Sequence, residues 1–249
     1  MRIGNYQFSP VLAPSIVVLF LFPGLISLGL WQLDRADEKK EIEANVHQAG
    51  LSDPLVLNGL AVAERGKLPQ HIYRPMVVSG SYDSKHQFLY DNRTHKGKPG
   101  YHVLSPFRLK GNKAAVLVNR GWIPFEGRRD NIQDISIETS EETLKGVIKL
   151  PIKGIVLKNS GKLTASLDSY PLTIQAVSLD EMAEALGYDF LPIVIELDIS
   201  ANNGFIREWQ PYYGSIAKHH GYAVQWFAMA LVLLLLFIKL STKKIENRK

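Results

Sequence analysis

VLAPSIVVLFLFPGLISLGLWQL, residues Val11–Leu33, holds no charged side chain, and neither does GYAVQWFAMALVLLLLFI, Gly221–Ile238. Reading these two runs decides the fold. The 23 residues of the first would rise about 34 Å as a helix, enough to cross a hydrocarbon core of about 30 Å with some tilt. Pro14, Pro23 and Gly24 suit a spanning helix better than a soluble one. A cleavable signal peptide is the rival reading of the first run. Against it, the apolar stretch outruns a signal core, Arg2 is the only basic leader, and no A-x-A site follows. The first run is therefore read as an uncleaved anchor.

Charge distribution sets the expected orientation. Of 29 Lys and Arg, six lie in the tails (Arg2, Lys239, Lys243, Lys244, Arg248, Lys249), against one tail acid, Glu246. The formal +5 of the chain thus belongs to its ends, and 34–218 is balanced at 23 basic and 23 acidic residues. A nucleic-acid partner is excluded on that distribution, whereas a lipid surface fits it. The expected plan is a cytoplasmic tail 1–10, a first span 11–33, a translocated domain 34–218, a second span 219–238 and a basic cytoplasmic tail 239–249. With no Arg/Ser-rich transit peptide ahead of the first span, the expected setting is a bacterial inner membrane with the domain in the periplasm. The chain has no cysteine, which removes disulfides, thiolate zinc sites, iron–sulfur clusters and CxxCH haem attachment.

The domain reads as α+β, dominated by antiparallel sheet that is open or partly closed as a barrel. DRADEKKEIEANVHQAG, Asp34–Gly50, continues the first span as a charged helix ending at glycine. Strand patterns occupy Arg74–Tyr82, His86–Asp91, Tyr101–Leu109, Ala114–Trp122, Leu144–Leu157 and Leu191–Asp198. Gly97-Lys-Pro-Gly100 reads as a loop, and Gly111-Asn112 as a tight hairpin link. Alternation places Val116, Val118, Arg120 and Trp122 on one strand face. Ser178-Leu-Asp-Glu181 is a capping box that predicts a helix over Leu179–Leu186, closed by Gly187.

Catalytic signatures such as HExxH, GxSxG, a phosphate loop or GxGxxG are missing, so the chain is read as a non-enzyme with no metal site. Lys85–Arg129 carries ten basic residues against two acidic, and 130–142 five acidic and none basic. The pattern fits solvated loops, or a basic face with Arg93, Lys96 and Lys98 that meets an acidic partner. His219 and His220 immediately precede the second apolar run. On a helix His219, Ala223 and Trp226 share a face, able to take a flat apolar ligand such as haem. The same residues also read as an ordinary interfacial belt with Trp31, Trp209, Tyr212 and Tyr213. Gln225 is expected to pair with the other span, and Gly24, Ser27 and Trp31 to pack near Ala223 and Ala230.

Four stretches carry a family resemblance: LGLWQLDRADEKK (Leu28–Lys40), GKPGYHVLSPFRL (Gly97–Leu109), VLVNRGWIP (Val116–Pro124) and KHHGYAVQWFAMA (Lys218–Ala230). Together, in this order and between two spans, they resemble the surfeit locus protein 1 family of cytochrome c oxidase assembly factors. The resemblance implies a role in building a haem–copper oxidase, by delivering haem a or by stabilising the haem-bearing subunit. It further implies haem A synthase as a partner, His219 as the haem ligand with Trp226 facing the haem, and Arg120 and Trp122 as folding or partner-docking residues. The alternative is a membrane-anchored interaction or sensor domain without cofactor.

The charge pattern predicts a topology. A reporter active only in the cytoplasm should work when fused after Lys249, and one active only outside it when inserted between Gly97 and Gly100. The reverse pattern of activities would overturn the orientation.

Overall fold

The computed structural model describes residues 2–3, 6–127, 132–151, 170–210 and 214–244. In chain order the elements begin with β1 (Arg2–Ile3), β2 (Tyr6–Phe8), α1 (Leu12–Gly50), β3 (Leu55–Val56), α2 (Val62–Arg65) and a 3-10 turn, Leu68–His71. There follow β4 (Pro75–Tyr82), β5 (Phe88–His95), β6 (Lys98–Leu109), β7 (Ala115–Pro124), β8 (Glu141–Lys149) and β9 (Leu172–Ile174). The chain continues through α3 (Leu179–Leu186), β10 (Phe190–Leu197), α4 (Ile216–Ser241) and β11 (Thr242–Lys244). Two compact units result: residues 1–44 with 210–249, and residues 45–209.

The first unit is a helix pair. The charged stretch after the first apolar run continues it without a break, so α1 has 39 residues and is about 58 Å long. Both α1 and α4 are long and apolar enough to cross a membrane. Beyond the apolar runs the described residues of both tails form strands. Strand β2 pairs antiparallel with both β1 and β11, and Phe8 meets Phe237 edge-on at 6.1 Å.

The second unit is a mixed sheet, mostly antiparallel, in the order β3-β4-β8-β10-β7-β6-β5-β9. Strand β4 pairs with β8 along its length, and its last three residues also pair with β6, Tyr82 opposite Phe107. Pairing therefore returns on itself through β4, β8, β10, β7 and β6. Inside lies a core of Met76, Val78, Tyr82, Phe107, Val116, Val118, Ile148 and Ile195. Three pairings are parallel: β3 with β4, β5 with β9 and β7 with β10. Helix α3 covers part of the outer face, burying Met182 against Leu104, Leu117 and Val194. It forms as its capping box requires: Ser178 Oγ accepts the Glu181 N–H at 3.4 Å, and Gly187 closes it at φ 73°. The loop expected at Gly97–Gly100 is a tighter turn at Lys96–Gly97, both at positive φ, and Lys98, Pro99 and Gly100 already pair in β6. The link at Gly111-Asn112 is longer than two residues, Leu109 N–H reaching Ala114 O at 3.1 Å. The expected strand Leu144–Leu157 is β8 to Lys149, and residues 152–157 lie outside the described residues.

One irregularity overturns the expected face of Trp122. Asn119 pairs with Leu104 and Gly121 with Val103, so Arg120 is an extra residue in β7, a β-bulge. Val116, Val118 and Arg120 point inward as the alternation predicts. Beyond the bulge the alternation is displaced by one, and Trp122 stands opposite His102 on the outer face. Gly121 makes the bulge possible. Its φ is 123°, and a Cβ there would lie 2.8 Å from the Ile206 carbonyl oxygen.

The outer face also carries a polar row. Lys149 Nζ lies 3.6 Å from Glu196 Oε2 and 4.6 Å from the Tyr73 ring centre. Glu196 stands opposite Asn119 in the ladder, and the Asn119 amide is 2.9 Å from His102 Nδ1. Burial pushes the Glu196 carboxyl up to about 7, against the pull of Lys149. Burial pushes the His102 imidazole down to about 4, helped by the positive field of Arg93 and His95.

These two groups act on stability with opposite signs. The contribution of Glu196 is fully present below its unfolded value of 4.5 and is lost as pH rises through about 7. That of His102 is present above its unfolded 6.5 and is lost as pH falls through about 4. Over the shared window each contributes a slope of at most about 1.4 kcal/mol per pH unit, and the slopes oppose. Glu196→Gln should therefore make stability rise with pH between about pH 5 and pH 7 relative to wild type, and His102→Gln should make it fall. Denaturant midpoints across that window check both, and slopes unchanged in either variant would refute the assignment. Gly121→Ala should lower the unfolding free energy from the same titrations by about 2 kcal/mol or more, from backbone strain and the carbonyl contact.

Candidate functional site

In the helix pair the two polypeptide directions are opposed. The buried stripe of α1 is Leu25, Gly29, Gln32 and Ala36, and that of α4 includes Ala223 and Ala230. Steps of three and four residues on α1 and of seven on α4 suit side chains interleaving along nearly antiparallel axes. The α1 stripe is one residue displaced from the expected Gly24–Ser27–Trp31 set, which faces outward; Trp31 lies under the Arg35 guanidinium at 5.9 Å. Gly29 decides this choice of face. A Cβ there would enter the Phe227 ring, so only glycine lets the helices come this close.

One turn along that stripe, Gln32 Oε1 lies 2.7 Å from His219 Nδ1. Gln32 is 9% exposed and Ala223 1%. Gln225, expected to pair with the other span, is exposed instead, because it projects from the far side of α4. The polar link between the helices runs through Gln32 instead. Gln32 was detectable, being the one amide among the small and apolar residues at 25, 29, 32 and 36.

The fit of this site to haem divides in two. The His219 imidazole suits an iron: with the carbonyl of Gln32 accepting from Nδ1–H, Nε2 keeps its lone pair. The space beside Ala223 that the sequence suggested for a macrocycle is taken up by helix packing. Trp226, half-buried on the margin of the same face, and His219 are the residues that would hold such a group. His220 is half-buried on the next helical position.

In the sheet unit, Arg93, Lys96, Lys98 and Trp122 come together at one hairpin, and Arg120 lies beneath. Trp122 is 5% exposed. Its Nε1–H donates to the Arg93 carbonyl at 3.0 Å, and its ring lies 5.2 Å from that of His95. Trp122 is thus the floor of the hairpin. Lys96 and Lys98 at the tip are exposed, Lys96 pairing with Glu208 at 2.7 Å, and the Arg93 guanidinium lies 4.2 Å over the Tyr90 ring.

Arg120, 3% exposed, is likewise internal. Its Nη1 donates to Gln87 Oε1 at 2.9 Å and to the Ile135 carbonyl at 2.8 Å, and its Nε donates to the Asn203 carbonyl at 2.9 Å. It meets the Phe205 ring at 4.9 Å. Burial lowers its basicity, and Glu142 and Asp134 partly offset this from a distance. Of the two roles expected for Arg120, folding and partner docking, these contacts serve the first, tying together three segments of its own domain. Among the described residues no cluster of three or more His, Asp or Glu could hold a metal ion.

Comparison with known proteins covers both units. Residues 19–231 match the SURF1 family. A SURF1-like protein of Rickettsia felis is 32% identical over 235 residues, covering 90% of this chain and 95% of the relative. Surfeit locus protein 1 of Rattus norvegicus is 24% identical over 229 residues, covering 85% of this chain and 70% of the relative. The family match begins inside the first apolar helix, ends inside the second, and takes in Gln32, the basic hairpin, the bulge and His219. This membrane-anchored chain, with its sheet domain inserted between two apolar helices, belongs to the SURF1 family.

Proposed function

We propose that this chain is a non-enzymatic assembly factor for a haem–copper terminal oxidase. The observation that carries the reading is the family match across both helices and the domain between them. In this reading the chain sits in a bacterial inner membrane with both termini cytoplasmic and the sheet domain periplasmic. The +5 concentrated in the tails supports that orientation.

Two surfaces divide the work. The hairpin bearing Arg93, Lys96 and Lys98, stiffened from below by Trp122, meets an acidic face of the oxidase subunit. At the mouth of the helix pair, His219 offers Nε2 to the iron of haem a supplied by haem A synthase, with Trp226 alongside. The haem would be cargo, held by His219 and Trp226 for transfer to the oxidase subunit. A second reading, an anchored interaction module without cofactor, is favoured by the filled space beside Ala223.

Purification of the full chain after co-expression with haem A synthase separates the two. Wild-type protein should carry haem absorbance, His219→Ala should lose most of it, and His220→Ala should keep most. Haem-free wild-type protein would overturn the cofactor half of the proposal. Undiminished oxidase assembly after deletion of the chain would overturn the other half.

A further inference from the structure

The geometry points to Gln32 as the positioning residue of His219: its carbonyl oxygen selects the imidazole tautomer whose Nε2 can bind iron, before any ligand arrives. The inference deepens the haem reading above and rests on it only for its final step.

An imidazole with one proton has two forms. Nε2 is a ligand only when the proton is on Nδ1, and the partner of Nδ1 determines which form prevails. In the helix pair that partner is an amide, which can present either a carbonyl oxygen or an NH2 group. Gln32 presents Oε1, at 2.7 Å, an acceptor that requires the proton on Nδ1. The opposite amide orientation would put the proton on Nε2 and close the site to a metal. The orientation of one amide therefore decides whether His219 is a ligand at all.

The surrounding packing makes this contact obligatory. Gln32 is 9% exposed in an interface otherwise lined by Leu25, Gly29, Ala36, Ala223 and Ala230. A carbonyl oxygen without a donor there would carry its full desolvation cost. Gly29 against Phe227 sets the helix separation, and Gln32 lies three residues further along the same stripe. The amide can reach the first turn of α4 because the helices approach closely at that glycine.

The arrangement is testable with and without haem. Full-length haem-free protein labelled with 15N-histidine should show His219, assigned by loss of its signals in His219→Ala, as the Nδ1–H tautomer. In Gln32→Leu the same residue should shift towards Nε2–H, and haem should bind ten- to a hundred-fold more weakly. Gln32→Glu, which still accepts from Nδ1–H, should restore the tautomer and the binding, with a more negative haem reduction potential because the imidazole becomes more electron-rich. An Nε2–H tautomer in the haem-free wild type would overturn the inference whatever the haem result. So would full-strength haem binding by Gln32→Leu. A wild-type Nδ1–H tautomer that is lost in Gln32→Leu supports the pairing even if no haem binds. In that event it is the haem reading that has failed.

Discussion

The sheet domain is organised around a positive charge that it has taken out of water. Moving a guanidinium indoors costs several kcal/mol unless its donors find acceptors. Arg120 finds them mainly in carbonyl groups: Gln87 at the start of β5, Ile135 in the extended segment before β8, and Asn203 in the loop after β10. Those three segments are distant in sequence, and of the three only the first belongs to a ladder strand's immediate approach. The Asn203 loop is fixed further by Phe205 N–H to Arg120 O at 2.8 Å and Trp122 N–H to Ile206 O at 2.8 Å. One bulge residue thus fastens irregular chain that hydrophobic burial alone would hold loosely. Replacing it with an apolar residue would take this donor from the buried Ile135 carbonyl and leave Gln87 Oε1 with Ser105 Oγ alone, the costlier way to lose a polar network.

The same bulge shapes the outer surface. Displacing the alternation by one turns Trp122 outward beneath the β5–β6 hairpin, where its indole N–H holds the Arg93 carbonyl. The basic tip at Lys96 and Lys98 then projects from a braced base. A charged surface on a rigid support loses less conformational entropy on binding than one on a loose loop. The glycine after Arg120 is therefore a condition for the hairpin's geometry, although it lies on a different strand.

The legible parts of the fold were those written within a few residues of one another. The apolar runs, the Ser178 cap with Gly187, and most of the strands follow from local pattern, and the structure agrees. What escaped were relations between distant segments. The β4–β6 closure and the parallel pairing of β7 with β10 depend on how the chain returns, which alternation does not encode. The bulge leaves Arg120 looking like an ordinary inward residue, and simple alternation puts Trp122 on the opposite face from the one it takes. The helix-pair contact joins Gln32 to a residue 187 positions away. His219 could be singled out by its place before the second apolar run, whereas its partner depended on which α1 face Gly29 turns towards Phe227.

The choice of an amide at that contact follows from where it lies. A carboxylate at position 32 would also accept from Nδ1–H, but it would bring a negative charge into a stripe of alanine, glycine and leucine. There it would require a cationic partner to offset desolvation. A neutral acceptor satisfies the histidine without charging it. An aliphatic side chain would be cheaper still for helix packing, but it would leave Nδ1 indifferent between its two forms. Glutamine is the residue that reaches across a glycine-spaced helix pair, satisfies the imidazole, adds no charge and fixes which nitrogen faces outward as an acceptor. The packing contact at Gly29 and the polar contact at Gln32 are therefore one constraint: the first sets the distance at which the second can operate.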